Sequence, residues 1–439
     1  MTAQVTPIRT ETERALAERL RAAPALDSGA RIAERREAAI LAFERNGLPS
    51  RRVEAWKYTD LRALMKQAAE PAGVPGEAEH AAARRLPPAL DIDGCVTIDI
   101  VNGTPQGTGR AIDGVTIRTL AEVAAQKDAV LEHLGAAFEE RSDVASGLNL
   151  AFLRDGLVIE VAAGRKVETP LHLAFAAIGA QAFATFPRVL VVLGKGAALT
   201  LFESHRGSAG IAYQSNAVVE FVLAADAEVD HVRLDCGGDA ALSLSTLAAK
   251  LGDRTRFESF NLICGPQVAR HQIFTGGPGA YINLVLQGAT LLRRQQHGDV
   301  TLHAIHAAPH GTSRELFKTI VDDEATGVFQ GKIVVDAIAQ KTDGRMHSAA
   351  LMLADNAAMN NKPELEIFAD DVQCAHGATV GELDQDLLFY AMSRGIARAQ
   401  AEALLIESFV GEAAEFIANE NAREAVMEHV RHWLWERAS

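Results

Sequence analysis

The sequence predicts a mainly β protein with helical ends, built around a β-solenoid. From residue 146 to residue 383, short runs rich in β-branched residues alternate with Gly, Asp, Asn or Pro, and almost no helical periodicity separates them. Aromatic residues make up only 5% of the chain, which is too few for the repeated aromatic positions of a propeller. Many runs consist of small aliphatic residues, and no strict hexapeptide repeat occurs. We therefore favour a solenoid, whose handedness the pattern leaves open, over a sandwich or a propeller.

The N-terminal part of the chain shows helical periodicity. Apolar residues recur every three to four positions over residues 11–46, with an interruption at Pro24 and an end near Gly47. The segments that follow are predicted as a short helix at 59–68, a proline-containing linker at 70–90, a strand near 95–101 and a helix at roughly 118–137.

Helical spacing returns after the β zone, with Asp384 as a predicted N-cap and Gly395 as the predicted end of the first helix. Trp433 and Trp435 add bulky apolar surface near the end, which suits packing on the β core or binding of a partner. We therefore divide the chain into an N-terminal, mainly helical domain at 1–145, a β core at 146–383 and a C-terminal helical domain at 384–439.

Composition excludes several classes of protein. The net charge of −14 opposes binding of nucleic acid. No CxxC pair occurs among the four widely spaced cysteines, so we expect neither a disulfide framework nor a zinc ribbon. The start of the sequence has no apolar signal region, and the longest apolar stretch, at 189–202, is interrupted by Lys195. We therefore expect a cytoplasmic protein that does not span a membrane. The cysteines are Cys95, Cys236, Cys264 and Cys374.

Common enzyme motifs do not occur in the sequence. There is no P-loop, no GxSxG and no HExxH. Four histidines lie close together in the sequence, but on one strand the best same-face pair, His306 and His310, would be about 13 Å apart. We therefore favour structural or surface roles for this group over a metal site. The group consists of His297, His303, His306 and His310.

Cys374 and His376 have the spacing of two residues on one face of a strand. If residues 365–376 are extended, the two side chains lie about 7 Å apart along the chain. Thiolate and imidazole can both bind iron or zinc, but two ligands do not complete a metal site. A nucleophile–base pair and a plain strand end remain alternative interpretations.

Two long segments resemble the SufB/SufD family of iron–sulfur cluster assembly proteins, and the SufD branch most. They are QGKIVVDAIAQKTDGRM at 330–346 and NKPELEIFADDVQCAHGATVGELDQDLLFYAMSRGI at 361–396. Shorter supporting segments are EAWKYT at 54–59, Leu148-Asn149 and HAAPHGTSRELFK at 306–318. The resemblance implies a right-handed parallel β-helix core between N-terminal and C-terminal helical domains.

The resemblance also implies a function. Family members work with a SufB-type paralog, joined through the β-helix edge, and with a SufC-type ABC ATPase, which docks on the C-terminal helices. A transient iron–sulfur cluster would form at the interface with the paralog, and the resemblance assigns a metal-ligand role to His376, with Cys374 as a weaker candidate. A SufB-type chain has a cysteine where this sequence has Ser348, which supports a SufD-like assignment.

These expectations describe a scaffold subunit that is not itself an enzyme, with ATPase activity in a partner chain. Two alternatives stay open from the sequence: a structural adaptor that holds the ATPase without cluster ligands, and a β-helix enzyme that acts alone. A homodimer of the isolated chain through the same strand edge and a flavin bound in the complex also stay open, since no motif decides either.

Overall fold

The computed structural model describes residues 9–24, 26, 30–106, 112–138 and 143–438. Nine α-helices occur in these residues: α1 (Glu11–Ala22), α2 (Ala30–Asn46), α3 (Leu61–Leu64), α4 (Glu77–Arg85), α5 (Leu120–Ala125), α6 (Val144–Ala151), α7 (Gln385–Ser393), α8 (Arg398–Ala414) and α9 (Glu420–Ala438). Three short 3-10 helices cover Glu54–Trp56, Ala129–His133 and Ala136–Phe138.

The β-strands occupy the middle of the chain almost without interruption. In chain order they are β1 (Glu70–Pro71), β2 (Val96–Val101), β3 (Thr104–Gln106), β4 (Val115–Thr119), β5 (Leu157–Val161), β6 (Leu171–Ala177), β7 (Phe183–Thr185), β8 (Arg188–Leu193), β9 (Ala198–Gly207), β10 (Gln214–Leu223), β11 (Glu228–Asp235), β12 (Leu242–Leu251), β13 (Arg256–Ile263), β14 (Val268–Gly276), β15 (Asn283–Leu292), β16 (His297–His306), β17 (Thr312–Val321), β18 (Thr326–Val335), β19 (Asp343–Met352), β20 (Ala358–Ile367) and β21 (Gln373–Gly381).

Two sheets enclose a common interior and form a parallel β-solenoid of eight turns. From β5 onward, successive long strands alternate between the sheets, so that the first sheet runs β5-β8-β10-β12-β14-β16-β18-β20 and the second runs β6-β9-β11-β13-β15-β17-β19-β21. Each strand pairs in parallel with the equivalent strand of the neighbouring turn. The solenoid explains the uninterrupted strand pattern, since each turn returns the chain to the same two sheets.

Both faces of most strands are buried, which explains why the runs are apolar rather than strictly alternating. In β11, Val229 faces the interior between the sheets, whereas Val232 and Leu234 belong to an outer apolar cluster. The interior is filled by stacked aliphatic and Phe side chains from both sheets, such as Phe221 and Phe257 with ring centroids 5.1 Å apart.

The N-terminal helices cover the outer face of the first sheet. Their apolar side chains pack on Leu242 and Leu244 of β12. The EAWKYT segment at 54–59 lies on the same face. There the guanidinium of buried Arg270 lies 3.9 Å from the centroid of the Trp56 ring, and Arg270 Nη2 donates to the Ala55 carbonyl oxygen at 2.7 Å.

The C-terminal helices α8 and α9 cover the outer face of the second sheet. Buried Val410, Val426 and Val430 pack against the outward side chains of the solenoid strands. Helix α7 begins at the predicted N-cap, where the Asp384 carboxylate accepts from the backbone of the first turn at 2.9 and 3.1 Å. Gly395, with φ +86°, follows the end of α7, as predicted.

The predicted fold class is confirmed, as is the helical region at 11–46 with its break near Pro24. Three local predictions are wrong in part. The proposed linker at 70–90 contains helix α4, and the predicted helix at 118–137 is the short α5 followed by 3-10 turns. The predicted helix at 59–68 shrinks to the single turn α3, because Met65 leaves the helical conformation with ψ 84°. Among the helices that the structure describes, none is long and apolar enough to cross a membrane.

Candidate functional site at the open end of the solenoid

The last turn of the solenoid has open strand edges within the part of the chain that the structure describes. Among the described strands, β20 pairs only with β18, and β21 pairs only with β19. The outer edge of each strand therefore presents backbone N–H and C=O groups that no further strand takes up. Exposed apolar side chains accompany this edge, namely Ile367, Phe368 and Val380. An open parallel edge with apolar side chains is suited to pairing with another β-solenoid.

Strand β20 also carries features that limit indiscriminate pairing. Pro363 lies within it and removes one backbone donor from the edge. Lys362 forms ion pairs with Glu54 of the N-terminal region and, at 3.1 Å, with Glu364. Charged side chains and proline on an edge strand disfavour unspecific association. The edge is therefore open but selective.

Cys374 and His376 lie on one face of β21, the face that continues the interior of the solenoid. In the parallel register, Cys374 aligns with Gly344 and His376 with Met346, and both β19 residues are buried. Cys374 is half-buried against the core, whereas His376 is exposed because no further turn covers it. The two are on the same face, as predicted, but 365–376 is not one strand. The chain turns at 368–372, and β21 begins only at Gln373.

A buried carboxyl group lies beneath this pair. Glu315 of β17 aligns with Met346, which aligns in turn with His376, so the three residues stack on successive turns. Glu315 is 2% exposed, and neither carboxyl oxygen has a hydrogen-bond partner among the described residues. Burial raises the pKa of Glu315 to about 8, which favours the protonated side chain near neutral pH. The sequence did not single out Glu315, because a charged residue within a strand is usually expected to face outward.

The thiol of Cys374 is protonated at neutral pH. Burial raises its pKa above the usual value, and the neighbouring Asp343 and Glu315 carboxyl groups raise it further. Ser348 lies on the same interior face of β19 and donates from its hydroxyl to Asn361 Oδ1 at 2.7 Å. The open end therefore offers one thiol and one imidazole. A metal bound there needs further ligands from elsewhere.

The histidine group at 297–310 does not form one site in the structure. His297 Nε2 shares a hydrogen bond of 2.9 Å with Thr59 Oγ1, and His306 Nε2 shares one of 3.1 Å with Ser313 Oγ. The premise that His306 and His310 share a strand is wrong, because β16 ends at His306 and His310 lies in a turn with φ 62°. There its ring stacks on Tyr281 at 4.5 Å.

Comparison with known proteins identifies the family. The sequence profile described as "SUF system FeS cluster assembly, SufBD core domain" matches residues 175–409, and that described as "SufBD protein N-terminal region" matches residues 16–173. The chain belongs to the SufBD family. The two matched regions join within β6, and together they include both the helix-covered solenoid and the strands of its open end.

Individual SufBD relatives are similar over most of their length. An iron–sulfur cluster assembly SufBD family protein of Synechocystis is 30% identical over 381 residues, which is 83% of each chain. The iron–sulfur cluster assembly protein SufD of Escherichia coli is 28% identical over 392 residues, 88% of this chain and 89% of the relative. The chloroplastic protein ABCI7 of Arabidopsis thaliana is 27% identical over 399 residues, covering 88% and 82% of the two chains.

The structure brings together a set of residues that the SufBD sequence pattern did not reveal. Cys236, Cys264 and His429 place their ligand atoms within 4.8 Å of one another, the one such group of three among the described residues. No metal site was predicted at these two cysteines, which are widely spaced in the sequence. One feature of the sequence could have indicated that the two cysteines meet. They are 28 residues apart, and the starts of β11 and β13 are also 28 residues apart.

Proposed function

We propose that this chain is a SufD-like, non-catalytic scaffold subunit of an iron–sulfur cluster assembly complex. The observation that carries the proposal is the incomplete ligand pair, Cys374 and His376, on the interior face of an open terminal strand. An iron–sulfur cluster that is passed on to other proteins is its cargo, and weak, shared ligation suits release better than a closed set of four thiolates. His376 would supply the exposed ligand, with Cys374 in support.

The remaining ligands would come from a SufB-type paralog that pairs with the open edge. Strand addition would satisfy the free backbone groups of β20 and β21 and cover the apolar side chains Ile367, Phe368 and Val380. A second copy of this chain would satisfy the same backbone groups, so a homodimer competes with the heterodimer when the paralog is absent. Only the heterodimer supplies a different set of ligands at the junction.

The ATPase partner would dock on the C-terminal helices, which we propose as a separate domain beginning at residue 384. Helix α7 exposes a row of large apolar side chains, and only Tyr390 among them has a described ring contact, with the Arg394 guanidinium 5.0 Å from its centroid. Such a patch is characteristic of protein–protein contacts. A SufC-type ABC ATPase that binds there could move α7 relative to the open end, because only residues 382–384 separate α7 from β21. The exposed side chains are Leu387, Phe389, Tyr390 and Met392.

The test is anaerobic co-purification of the complex from cells that produce this chain with its native partners, followed by assays of iron and acid-labile sulfide. We expect a paralogous β-solenoid protein and an ABC-type ATPase in stoichiometric amounts, with iron and sulfide present. His376→Ala should preserve the complex but lower its iron and sulfide severalfold. His347→Ala is the matched control, because this exposed histidine of the neighbouring strand faces the opposite side.

Each alternative predicts a different result. If the chain is only an adaptor for the ATPase, His376→Ala leaves the iron and sulfide content of the complex unchanged. If it is a β-solenoid enzyme that acts alone, it purifies without either partner and without iron. Recovery of the isolated chain without partners, iron or sulfide from partner-containing cells would overturn the proposed function.

A further inference from the structure

A second group of metal-ligand side chains lies on the outer face of the solenoid, away from the open end. It consists of Cys236 and Cys264, which follow β11 and β13, and His429 of helix α9. All three residues are half-buried. Four strand steps separate β13 from β21 in the second sheet, which corresponds to about 19 Å. The group is therefore separate from Cys374 and His376.

The parallel register of the solenoid brings the two thiols together. Asp235 aligns with Ile263, and the ladder continues one residue further, where Cys264 N donates to the Asp235 carbonyl oxygen at 3.1 Å. Cys236 and Cys264 thus occupy the same outward position on adjacent turns. Their Sγ atoms lie 3.6 Å apart, and both cysteines are free.

Helix α9 brings the imidazole to the thiols. His429 lies on the helix face that includes buried Val426, Val430 and Trp433, which pack on the solenoid. Cys236 Sγ is 3.7 Å from His429 Nδ1. The packing of α9 therefore fixes the position of His429 relative to both sulfur atoms.

The hydrogen bonding of His429 leaves the correct nitrogen available for a metal. Its Nε2 donates to the Ala89 carbonyl oxygen at 2.7 Å, so in the neutral ring Nδ1 carries no proton. Cys236 Sγ lies 3.7 Å from Nδ1 and 3.9 Å from Nε2. Metal-binding histidines usually donate their other ring nitrogen to a carbonyl or carboxylate in this way. The segment before Ala89 is itself anchored, because Arg206 Nη1 donates to the carbonyl oxygens of Leu86 and Pro87 at 2.9 and 3.1 Å.

Two of the three distances between ligand atoms match a tetrahedral metal ion, and the third, between Cys264 and His429, is within 4.8 Å. With Zn–S bonds of about 2.3 Å and a Zn–N bond of about 2.0 Å, tetrahedral geometry places two sulfurs about 3.8 Å apart and a sulfur and a nitrogen about 3.5 Å apart. The observed separations are 3.6 Å between the sulfurs and 3.7 Å between Cys236 Sγ and His429 Nδ1. Two thiolates also neutralise the charge of a divalent cation in this half-buried position.

We propose that Cys236, Cys264 and His429 form a binding site for a thiophilic divalent metal ion, with Zn²⁺ as the best fit. Binding displaces one proton from each thiol, and the fourth tetrahedral position is open to water or another small ligand. Because two ligands belong to the solenoid and one to α9, the metal links the C-terminal helix to the β core. The site is independent of the proposed scaffold function, so either proposal can fail alone.

The test uses the full-length chain, reduced and stripped of metal with a chelator under anaerobic conditions. Zn²⁺ is titrated in competition with a chromophoric chelator, and Co²⁺ is added separately as a spectroscopic probe. We expect one tight equivalent of Zn²⁺ per chain, and a Co²⁺ spectrum with thiolate charge-transfer bands and the strong visible bands of tetrahedral coordination. Zinc should also slow backbone hydrogen exchange in α9.

Variants decide whether these residues are the ligands. Loss of a residue that only orients a metal ligand lowers metal affinity about 10–100-fold. Loss of a ligand itself should cost more, so Cys236→Ser or Cys264→Ser should weaken zinc binding at least about 100-fold. His429→Gln should do the same while its amide still reaches the Ala89 carbonyl and keeps α9 in place, as checked by circular dichroism of the metal-free chain. Cys95→Ser is the matched control and should leave the affinity unchanged.

The proposal would be overturned if the reduced chain bound no zinc or if Cys236→Ser bound zinc as tightly as the unaltered chain. It would also be overturned if hydrogen exchange in α9 did not respond to zinc. The double variant Cys374→Ala with His376→Ala separates the two sites of the molecule. It should retain the full equivalent of zinc, and loss of binding in this variant would assign the metal to the open end instead.

Discussion

Replacement of Glu315 by Gln should change how the stability of the protein depends on pH. Glu315 lies beneath the proposed ligand pair, fully enclosed and without a hydrogen-bond partner for either oxygen among the described residues. Burial disfavours the charged carboxylate and raises the pKa of Glu315 from 4.5 to about 8 in the folded chain. Gln has nearly the same shape but does not titrate, so the substitution removes this pH dependence and little else.

The sign follows from the protons bound in each state. Between pH 4.5 and pH 8 the folded protein retains a proton on Glu315 that the unfolded chain has released, so its contribution to stability falls as the pH rises. The slope is about 1.4 kcal/mol per pH unit. Between pH 5 and pH 7 the unaltered chain should therefore lose at most about 2.7 kcal/mol relative to Glu315→Gln. Above pH 8 the difference should level off.

Urea unfolding followed by far-ultraviolet circular dichroism at pH 5, 6, 7 and 8 measures this difference. The two chains are compared at each pH, so that contributions from other titrating groups, such as buried His172 and His306, cancel. Glu382→Gln serves as the control, because Glu382 is exposed just beyond β21, and it should follow the unaltered chain. Parallel curves for the unaltered chain and Glu315→Gln would show that Glu315 is already ionised in the folded protein, which would refute the reasoning.

Two further predictions concern the surfaces on either side of the solenoid. Arg270→Ala leaves Asp299 buried without its ion-pair partner beneath the EAWKYT segment, so urea unfolding should show a loss of about 3–5 kcal/mol; a loss below about 1 kcal/mol would contradict this. The double variant Phe389→Asp with Tyr390→Asp should abolish co-purification of the proposed ATPase partner but retain the proposed paralog. Val74→Asp, at a side chain that is 83% exposed on the N-terminal side, is its control and should retain both.

The sequence was sufficient to predict the architecture but not which side chains meet between neighbouring turns of the solenoid. Strand runs, turn residues and helical periodicity are local features, so the solenoid, the break near Pro24 and the Asp384 cap followed from them. Helix α4 was missed because prolines on both sides of Glu77–Arg85 favoured a linker. The same-face placement of Cys374 and His376 was predictable because two residues on one strand always share a face.

The cysteine pair shows why contacts between turns escape such reasoning. The starts of equivalent strands differ by 30 residues between β9 and β11, 28 between β11 and β13 and 27 between β13 and β15. Residues in register therefore have no fixed spacing, and a motif search has no period to test. Cys236 and Cys264 meet because this particular turn has 28 residues. His429 reaches the two cysteines only through the packing of α9 on the solenoid. The sequence spacing between His429 and the cysteines does not predict this contact.

The two candidate metal sites differ in what covers them, and this difference suits different uses. At the open end no described element covers β21, so His376 is exposed, and we propose that another chain completes its ligand set by pairing with the edge. On the outer face, α9 lies over the two thiols and supplies the third ligand from within the same chain. A metal shared between chains is released when they separate, whereas a metal held within one chain stays with its fold. On these two proposals, the solenoid holds a site for metal transfer at its end and a site for metal retention along its side.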